Sequence, residues 1–164
     1  MPNMTLDDID LKILRHMQAD ARLTNVELAD RVGLSPSPCL RRVRRLEKGG
    51  VIDGYMTFVD QTKVGLPVSV FVSVALKEQS EKALEEFEGA IGALPEVMEC
   101  YLMTGTSDYL LRVVTKDLAD YERFLKHHLT RIPAIASIQS SFTLKQVIYR
   151  AALPLSESES LSQM

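Results

Sequence analysis

Five basic side chains lie within eight residues, and their chemistry suits contacts with nucleic acid. They are Arg41, Arg42, Arg44, Arg45 and Lys48. Only Glu47 offsets them, so residues 41–48 carry a net charge of +4. Guanidinium groups hydrogen-bond phosphate oxygens and guanine edges. A solvated helix face is the alternative, and charge alone favours it, because most charge runs are of that kind.

The segment from Thr104 to Tyr109 (TGTSDY) combines groups that can hold a free amino acid. Its hydroxyls and backbone N–H groups can donate to a carboxylate, and Asp108 can accept from an ammonium. A plain hairpin turn uses the same residue types. Chemistry alone therefore favours a turn.

The remaining reactive side chains give weaker signals. His127 and His128 end a predicted helix, where one is expected to be partly buried and the other to favour the helix dipole. We expect Cys39 and Cys100 to be small core residues. The chain shows no metal-ligand spacing, catalytic triad, phosphate loop or dinucleotide fingerprint, so we predict no metal, no cofactor and no enzyme. A small ferredoxin-like enzyme that uses a histidine with Asp108 is the less favoured alternative.

Three short helical patterns must position the basic cluster. Residues 5–8 can cap the first helix, and residues 24–27 form a capping box for the second, which Gly33 ends. Ser35 caps a third helix, which we expect to turn its four arginines outward and to carry an inward stripe of Cys39, Leu40, Val43 and Leu46. Two short helices joined through a glycine indicate a helix-turn-helix. Residues 51–55 are consistent with a small wing. The candidate DNA-binding residues on the third helix are Ser35, Ser37, Pro38, Arg41, Arg42, Arg44 and Arg45.

The second half of the chain alternates strand and helix patterns in the order βαββαβ, which is the ferredoxin-like unit. In its first strand, the apolar residues of one face recur with period two; they are Val68, Val70, Val72, Val74 and Leu76. This unit needs helices on only one face of its sheet. Phe71 and Tyr101 are candidates for the uncovered face, and an uncovered apolar face predicts a dimer.

Composition limits the class of protein. The chain has 164 residues, 46% of them hydrophobic and 25% charged, and a net charge of −3, which argues against bulk coating of nucleic acid. We find no membrane-spanning run and no secretory signal, and the two cysteines are too few for a disulfide framework. We therefore expect a reduced, cytoplasmic protein that does not enter a membrane.

Several segments together resemble one family. They are residues 8–14 (DIDLKIL), 25–29 (NVELA), 34–47 (LSPSPCLRRVRRLE) and 50–52 (GVI). With them the chain resembles the Lrp/AsnC, or feast/famine, transcription regulators over residues 6–155. The match in the third helix is more specific than that of a generic helix-turn-helix.

The resemblance implies an effector site. Family members bind small effectors, usually amino acids, at the Gly105 loop where two dimers meet, which reverses the preference for a plain turn. The family form is Gly-Asp-x-Asp-Tyr, and here Thr106 replaces the first acid while Asp108 and Tyr109 match. Residues 140–143 align with the strand that borders the same cleft. The candidate effector residues are Met103, Thr104, Gly105, Thr106, Asp108, Tyr109, Ser140, Ser141 and Phe142.

Residues 96–105, 140–147 and 152–155 further resemble the activators of branched-chain keto acid dehydrogenase operons within the family. This likeness suggests leucine or another branched-chain amino acid as the effector.

The sequence thus predicts an α+β protein with a winged helix-turn-helix in residues 1–54, a linker strand or hinge in 55–65, a ferredoxin-like (RAM-type) domain in 66–153 and a disordered tail in 154–164. We predict a sequence-specific regulator that binds double-stranded DNA and an amino acid as a homodimer and assembles to an octamer. Dimerisation would place two recognition helices about 34–36 Å apart, or at multiples of that spacing. An effector-independent DNA-organising protein is the alternative.

Overall fold

The computed structural model describes residues 4–155, and these form two compact units. One unit contains residues 4–57 together with 148–155, and the other contains residues 58–147. Most of the predicted tail, from residue 156 onward, lies outside the described residues. Each unit has its own apolar core.

Three helices make up most of the first unit. They are α1 (Asp8–Ala19), α2 (Asn25–Val32) and α3 (Pro36–Lys48). Thr24 caps α2 in the predicted capping box, and Gly33 ends it in the left-handed conformation, with φ 71°. The cap of α1 is Asp7, within the segment predicted to cap it, because the Asp7 carboxylate accepts the Asp10 N–H and the Asp10 carboxylate accepts the Asp7 N–H.

The three helices bury one shared core. Ile13, Cys39 and Leu46 are fully buried in it, and Leu28 and Val43 are nearly so. Cys39, Val43 and Leu46 recur at helical spacing, so the predicted inward stripe of α3 is confirmed for them. Leu40, which we also expected to face inward, is more than a third exposed, because the next residue of a helix points about 100° away from its neighbour.

The segment after α3 contains no strand. Residues 51–52 form bends, and the Tyr55 hydroxyl donates to Glu47 Oε1 at 2.8 Å. Burial, together with this hydrogen bond to a carboxylate, raises the pKa of Tyr55 to about 12. The linker strand predicted in residues 55–65 does not form, because among the described residues no neighbouring strand pairs with it.

The second unit has the predicted βαββαβ order. Its elements are β1 (Val68–Leu76), α4 (Glu81–Gly92), β2 (Val97–Leu102), β3 (Tyr109–Thr115), α5 (Leu118–His127), a 3₁₀ turn (Leu129–Arg131) and β4 (Ile135–Phe142). The strands form one antiparallel sheet in the order β2-β3-β1-β4.

Both helices of this unit pack on the same face of the sheet. Val70, Val72 and Val74 of β1 are fully buried there against Phe87 of α4 and Phe124 of α5. Strand alternation sends the neighbouring side chains of β1 to the other face. The sheet therefore has one covered face and one face that the described residues cover only in part.

The second face carries apolar and charged groups side by side. Phe71 and Tyr101 are 38% and 51% exposed, as the uncovered face predicted. Arg112, which pairs with Phe71 across the strands, donates to Glu99 Oε1 at 2.7 Å, and the Tyr101 hydroxyl donates to Glu99 Oε2 at 2.9 Å. Burial alone raises the pKa of Glu99, but these two hydrogen bonds and the Arg112 charge hold it below its ordinary value.

The chain returns to the first unit after β4. The Gln18 side chain accepts the Leu153 N–H at 2.7 Å and donates to the Leu153 carbonyl at 3.3 Å, and Leu155 packs on the core of the three helices. Residues 148–153 therefore belong structurally with the helices. The domain boundary predicted from the sequence placed them in the 66–153 domain. The predicted and observed boundaries differ because the contacts of residues 148–153 are non-local.

Candidate DNA-binding and effector sites

Helix α3 presents one stripe of polar and basic side chains away from its core. Ser37, Arg41, Arg44 and Lys48 are exposed and recur at helical spacing. Together with Leu40 and the half-exposed Arg45 they line an open groove of about 860 Å³. Among residues 4–155, no acid forms an ion pair with Arg41, Arg44 or Lys48. This stripe can donate to an array of phosphates.

The N-terminal end of α3 is open as well. Ser35 is the N-cap residue, yet among the described residues its hydroxyl makes no capping hydrogen bond, and it is exposed. Ser35 and Ser37 thus lie at the positive end of the helix dipole, where an anion is favoured. Pro38 is half-buried.

Arg42 and Arg45 turn toward α1 instead. Arg42 Nη1 lies 2.7 Å from Asp7 Oδ2 and 2.9 Å from Asp10 Oδ1, and Arg45 Nη2 contacts Asp10 Oδ2. The hydrogen bonds to Asp7 and Asp10 raise the pKa of Arg42. Burial opposes ionisation of Asp7, but the Asp10 N–H and Arg42 lower its pKa overall.

The expectation that all four arginines face outward is therefore wrong for Arg42 and only partly right for Arg45. The Arg42 side chain is 26% exposed and that of Arg45 is 47% exposed. Both positions flank the apolar stripe of α3, which brings them beside the start of α1.

Sequence reasoning missed Asp10, which holds both arginines. Its side chain is 0% exposed. A signal was available, because Asp10, Ile13, Leu14 and Met17 share the spacing of one helix face. An acid in phase with an apolar stripe is a buried charge, and a buried charge needs cationic partners.

The Gly105 loop is built around Asp108. Asp108 Oδ2 accepts the Leu76 N–H at 2.6 Å, and Oδ1 accepts from Gln79 Nε2 at 2.6 Å. Gly105 has a φ of 130°, which favours glycine. The carboxylate already serves this chain, although its oxygens have further lone pairs that can accept from a ligand. Met103, Thr104 and Thr106 are exposed around it.

Tyr109 points away from the loop. Its ring is 1% exposed and lies 4.4 Å from Phe87, and its hydroxyl donates to Glu88 Oε1 at 2.7 Å. Burial, followed by this hydrogen bond and the Glu88 charge, raises the pKa of Tyr109. The tyrosine that matches the family motif is thus a core residue here, and only its backbone borders the loop.

The β4 candidates lie on two faces of the sheet. Ser140 is hydrogen-bonded to the Tyr121 hydroxyl, and the Phe142 ring meets the Tyr121 ring edge-on at 5.3 Å. Ser141 pairs with Phe71 and therefore points to the opposite face. Only Ser140 and Phe142 share a surface.

The loop and β4 candidates do not meet within one chain. The Asp108 carboxylate binds at Leu76, whereas Ser140 lies opposite Val72 and Phe142 lies opposite Val70. At about 3.3 Å per residue, these positions are about 13 Å and about 20 Å apart along β1. A free amino acid does not span that distance.

The other reactive side chains of residues 4–155 add no further site. His127 is exposed, and the His128 ring packs 5.6 Å from Phe124, as expected of this pair. Cys39 is buried as expected, but Cys100 is exposed, in an open groove of about 440 Å³ between α4 and β2. Within residues 4–155, no cluster of three or more acidic, histidine or cysteine side chains could hold a metal ion. None of the helices in that range is long and apolar enough to cross a membrane.

A helix-turn-helix with a basic outer stripe, followed by a βαββαβ sheet, defines a DNA-binding regulator with a separate ligand-binding domain. Comparison with known families agrees with this class. Residues 6–53 match the model of a winged helix-turn-helix DNA-binding domain, and residues 69–153 match that of the Lrp/AsnC ligand-binding domain.

The chain has near relatives over almost its full length. It is 52% identical over 150 residues to the Bkd operon transcriptional regulator of Pseudomonas aeruginosa, covering 92% of this chain and 98% of that protein. It is 43% identical over 142 residues to the leucine-responsive regulatory protein of Rhizobium meliloti, covering 87% and 91%.

Solved structures show the same fold. A transcriptional regulator from Neisseria meningitidis, crystallised in complex with L-Met, superposes with a TM-score of 0.88 at 39% identity and covers 92% of this chain and 97% of that one. An AsnC family regulator from Agrobacterium tumefaciens gives a TM-score of 0.87 at 41% identity, covering 92% and 97%.

The chain belongs to the Lrp/AsnC family. The predicted membership of this family, the α+β fold class and the role of DNA-binding transcriptional regulator are confirmed. Because the family consists of transcriptional regulators, the enzyme alternative is set aside.

Proposed function

We propose that this regulator reads operator DNA with the outer stripe of α3, with Arg41 and Arg44 as its principal contacts. The observation that carries this proposal is the orientation of that stripe, which faces away from the apolar core of its own unit without an acidic partner among the described residues. Ser35 and Ser37 add phosphate contacts at the positive end of the helix. The protein acts in the cytoplasm.

We further propose that it works as a dimer built on the uncovered sheet face. A single α3 with few contacts binds DNA weakly, whereas two linked modules gain avidity. The exposed Phe71 and Tyr101 supply apolar area on that face, and Arg112 with Glu99 supplies a paired charge. Burial of this surface in a second copy removes the apolar area from water.

The effector of this regulator is a branched-chain amino acid, bound where dimers assemble into an octamer. The separation of the Gly105 loop from Ser140 and Phe142 supports this, because a site using both patches requires a second copy. The identity of the effector rests on the names of the relatives that regulate a Bkd operon or respond to leucine. A ligand changes assembly only by its differential affinity for the competing states.

Two measurements on the purified protein test this function. A DNA site is first recovered by selection from a random pool, and its affinity is measured for the parent and for Arg41→Ala. We expect weaker binding by the variant with an unchanged oligomer, and equal affinity would remove α3 from the interface.

Calorimetry with the twenty amino acids then tests the effector. Heat from leucine, isoleucine or valine, with a change in DNA affinity, supports the proposal. If none of the twenty amino acids gives binding heat, the effector-independent DNA-organising role is favoured.

A further inference from the structure

The buried carboxylate of Asp10 has three donors from two elements. Arg42 binds Oδ1 at 2.9 Å, while Arg45 and the Asp7 N–H, the latter at 3.2 Å, bind Oδ2. Two of the three donors are guanidinium groups of α3. Asp10 therefore ties the start of α1 to the helix that we assign to DNA.

We propose that Asp10 is a positioning residue for DNA recognition, which holds Arg42 and Arg45 on α1 and leaves Arg41, Arg44 and Lys48 to face the phosphates. This proposal rests on the assignment of α3 as the DNA-contacting helix. In this proposal Arg41 and Arg44 contact DNA, whereas Arg42 and Arg45 bind α1, although the four residues are close neighbours in α3.

We call the contacts of Asp10 with Arg42 and Arg45 the Asp10 anchor, and helical geometry explains why such an anchor is useful. Consecutive residues of a helix point about 100° apart, so a rotation of α3 by that angle would exchange Arg41 for Arg42 at its outer surface, and a smaller rotation would move both away from their present positions. The apolar side of α3 rests on only three buried residues, Cys39, Val43 and Leu46. A charge pair on one flank resists rotation in a way that apolar packing, which lacks direction, does not.

Because Asp10 is buried, loss of its cationic partners is energetically costly. A carboxylate without exposure is costly to leave unpaired, because it has lost its hydration. Arg42 is held twice, since Asp7 Oδ2 also lies 2.7 Å from its Nη1. The lowered pKa of Asp7 and the raised pKa of Arg42 agree with a pair that stays ionised.

The anchor also sets how strongly α3 binds DNA of any sequence. Each phosphate that a cation neutralises adds about 0.9 to the slope of log affinity against log salt. Two arginines withheld from DNA lower this sequence-independent binding. The remaining contacts, which read base edges, then account for a larger share of the affinity.

The salt dependence of binding to the selected DNA site distinguishes the arginines that contact DNA from those that bind Asp10. Arg41→Gln and Arg44→Gln should each lower the slope by about 0.9, which is about 3.5-fold in relative affinity between 50 and 200 mM salt. Arg45→Gln, at a half-exposed position and with an amide that can still donate to Asp10, should leave the slope unaltered.

The outcomes distinguish this proposal from the function beneath it. If Arg45→Gln lowers the slope as much as Arg44→Gln does, Arg45 contacts DNA itself and the positioning role of Asp10 is overturned. If all three variants keep the parental slope, α3 is not the DNA contact and the proposed function fails together with the anchor.

Asp10→Asn tests the anchor directly. Release of Arg45, whose only acidic partner among the described residues is Asp10, should raise the slope by up to about 0.9 and reduce the preference for the selected site over random DNA, while Arg42 stays bound to Asp7. Asp30→Asn on α2 removes the same charge without releasing an arginine and should change the slope less. A merely structural role would weaken binding to both DNAs alike.

The double variant Asp10→Asn/Arg45→Gln completes the test. It should return the slope to the parental value, because the released cation is gone. A slope equal to that of Asp10→Asn alone would contradict the proposal. Circular dichroism establishes that each variant is folded, and the Arg45→Gln arm decides the question if Asp10→Asn does not fold.

Discussion

The two candidate sites of this chain are built in opposite ways. The DNA-binding candidates lie on one helix of 13 residues, so their spacing in sequence is already their spacing in space. The effector candidates come from a loop and from an edge strand, and the sheet holds them about 13–20 Å apart. The first set of candidates can act within one chain, whereas a site that used both parts of the second set would need another copy.

In both sites, the chain uses some candidate groups for itself. Asp10 takes up Arg42 and Arg45, and the Leu76 N–H and Gln79 take up Asp108. Charged groups near a core are satisfied locally before they can serve a partner. A residue of the right type at the right position is therefore only a candidate until its partners are known.

Loss of the second copy should have the largest effect. Phe71→Asp places a charge on the uncovered sheet face, and we expect it to give monomers, abolish the effector heat and weaken DNA binding about 10²–10⁴-fold. Light scattering and DNA titration measure these changes. Leu118→Asp, at an exposed position on the helical side of the sheet, is the control and should remain assembled. Persistent dimers of Phe71→Asp would show that the interface lies elsewhere.

The effector loop should respond to Asp108→Ala in two ways. The thermal shift given by the effector should disappear, and the free energy of unfolding should fall by about 1–3 kcal/mol because the Leu76 N–H loses its acceptor. Gln79→Ala removes only the partner of Oδ1 and should keep the effector response. An Asp108→Ala protein that responds like the parent would exclude this loop as the site.

The two kinds of arginine on α3 should separate in stability. Arg42→Ala should lower the free energy of unfolding by about 1–3 kcal/mol, since it leaves the buried Asp10 with one guanidinium fewer. Arg41→Ala should weaken DNA binding with a change in stability below about 0.5 kcal/mol. Urea denaturation and DNA titration compare them, and equal stability losses would contradict the assigned difference.

Acid should weaken the same anchor, with the smallest effect. The pKa of Asp7 in the folded protein lies below its ordinary value of 3.8, so its contribution to stability is complete above that value and is lost as pH falls through the lowered pKa. Asp7→Asn should flatten this part of the stability profile between about pH 5 and 2. A variant with an unchanged acid limb would remove Asp7 from the explanation.

Much of the fold could be predicted because its signals are local. The cap at Thr24, the left-handed Gly33 and the apolar spacing of α3 each act within a few residues. The alternation of Val70, Val72 and Val74 likewise predicted the buried face of β1. The linker strand predicted in residues 55–65 did not form, because a strand also needs a neighbour.

The candidate sites were less predictable, because what a side chain does depends on what surrounds it. Tyr109 matches the family motif in the loop, yet its ring belongs to the core beside Phe87. Ser140 and Ser141 are adjacent in sequence but point to opposite faces, which follows from the strand itself. Asp10 could have been recognised from its phase with Ile13, but its partners could not.

The amino-acid sequence by itself determined the helices, the βαββαβ order of elements along the chain, the basic stripe and the family. These depend on capping, periodicity and residue type, which act over a few residues. Only the tertiary structure decided which arginines remain outward, that Asp108 already has partners, and that residues 148–155 return to the first unit. Such outcomes depend on contacts between residues up to 135 positions apart, and no local pattern encodes them.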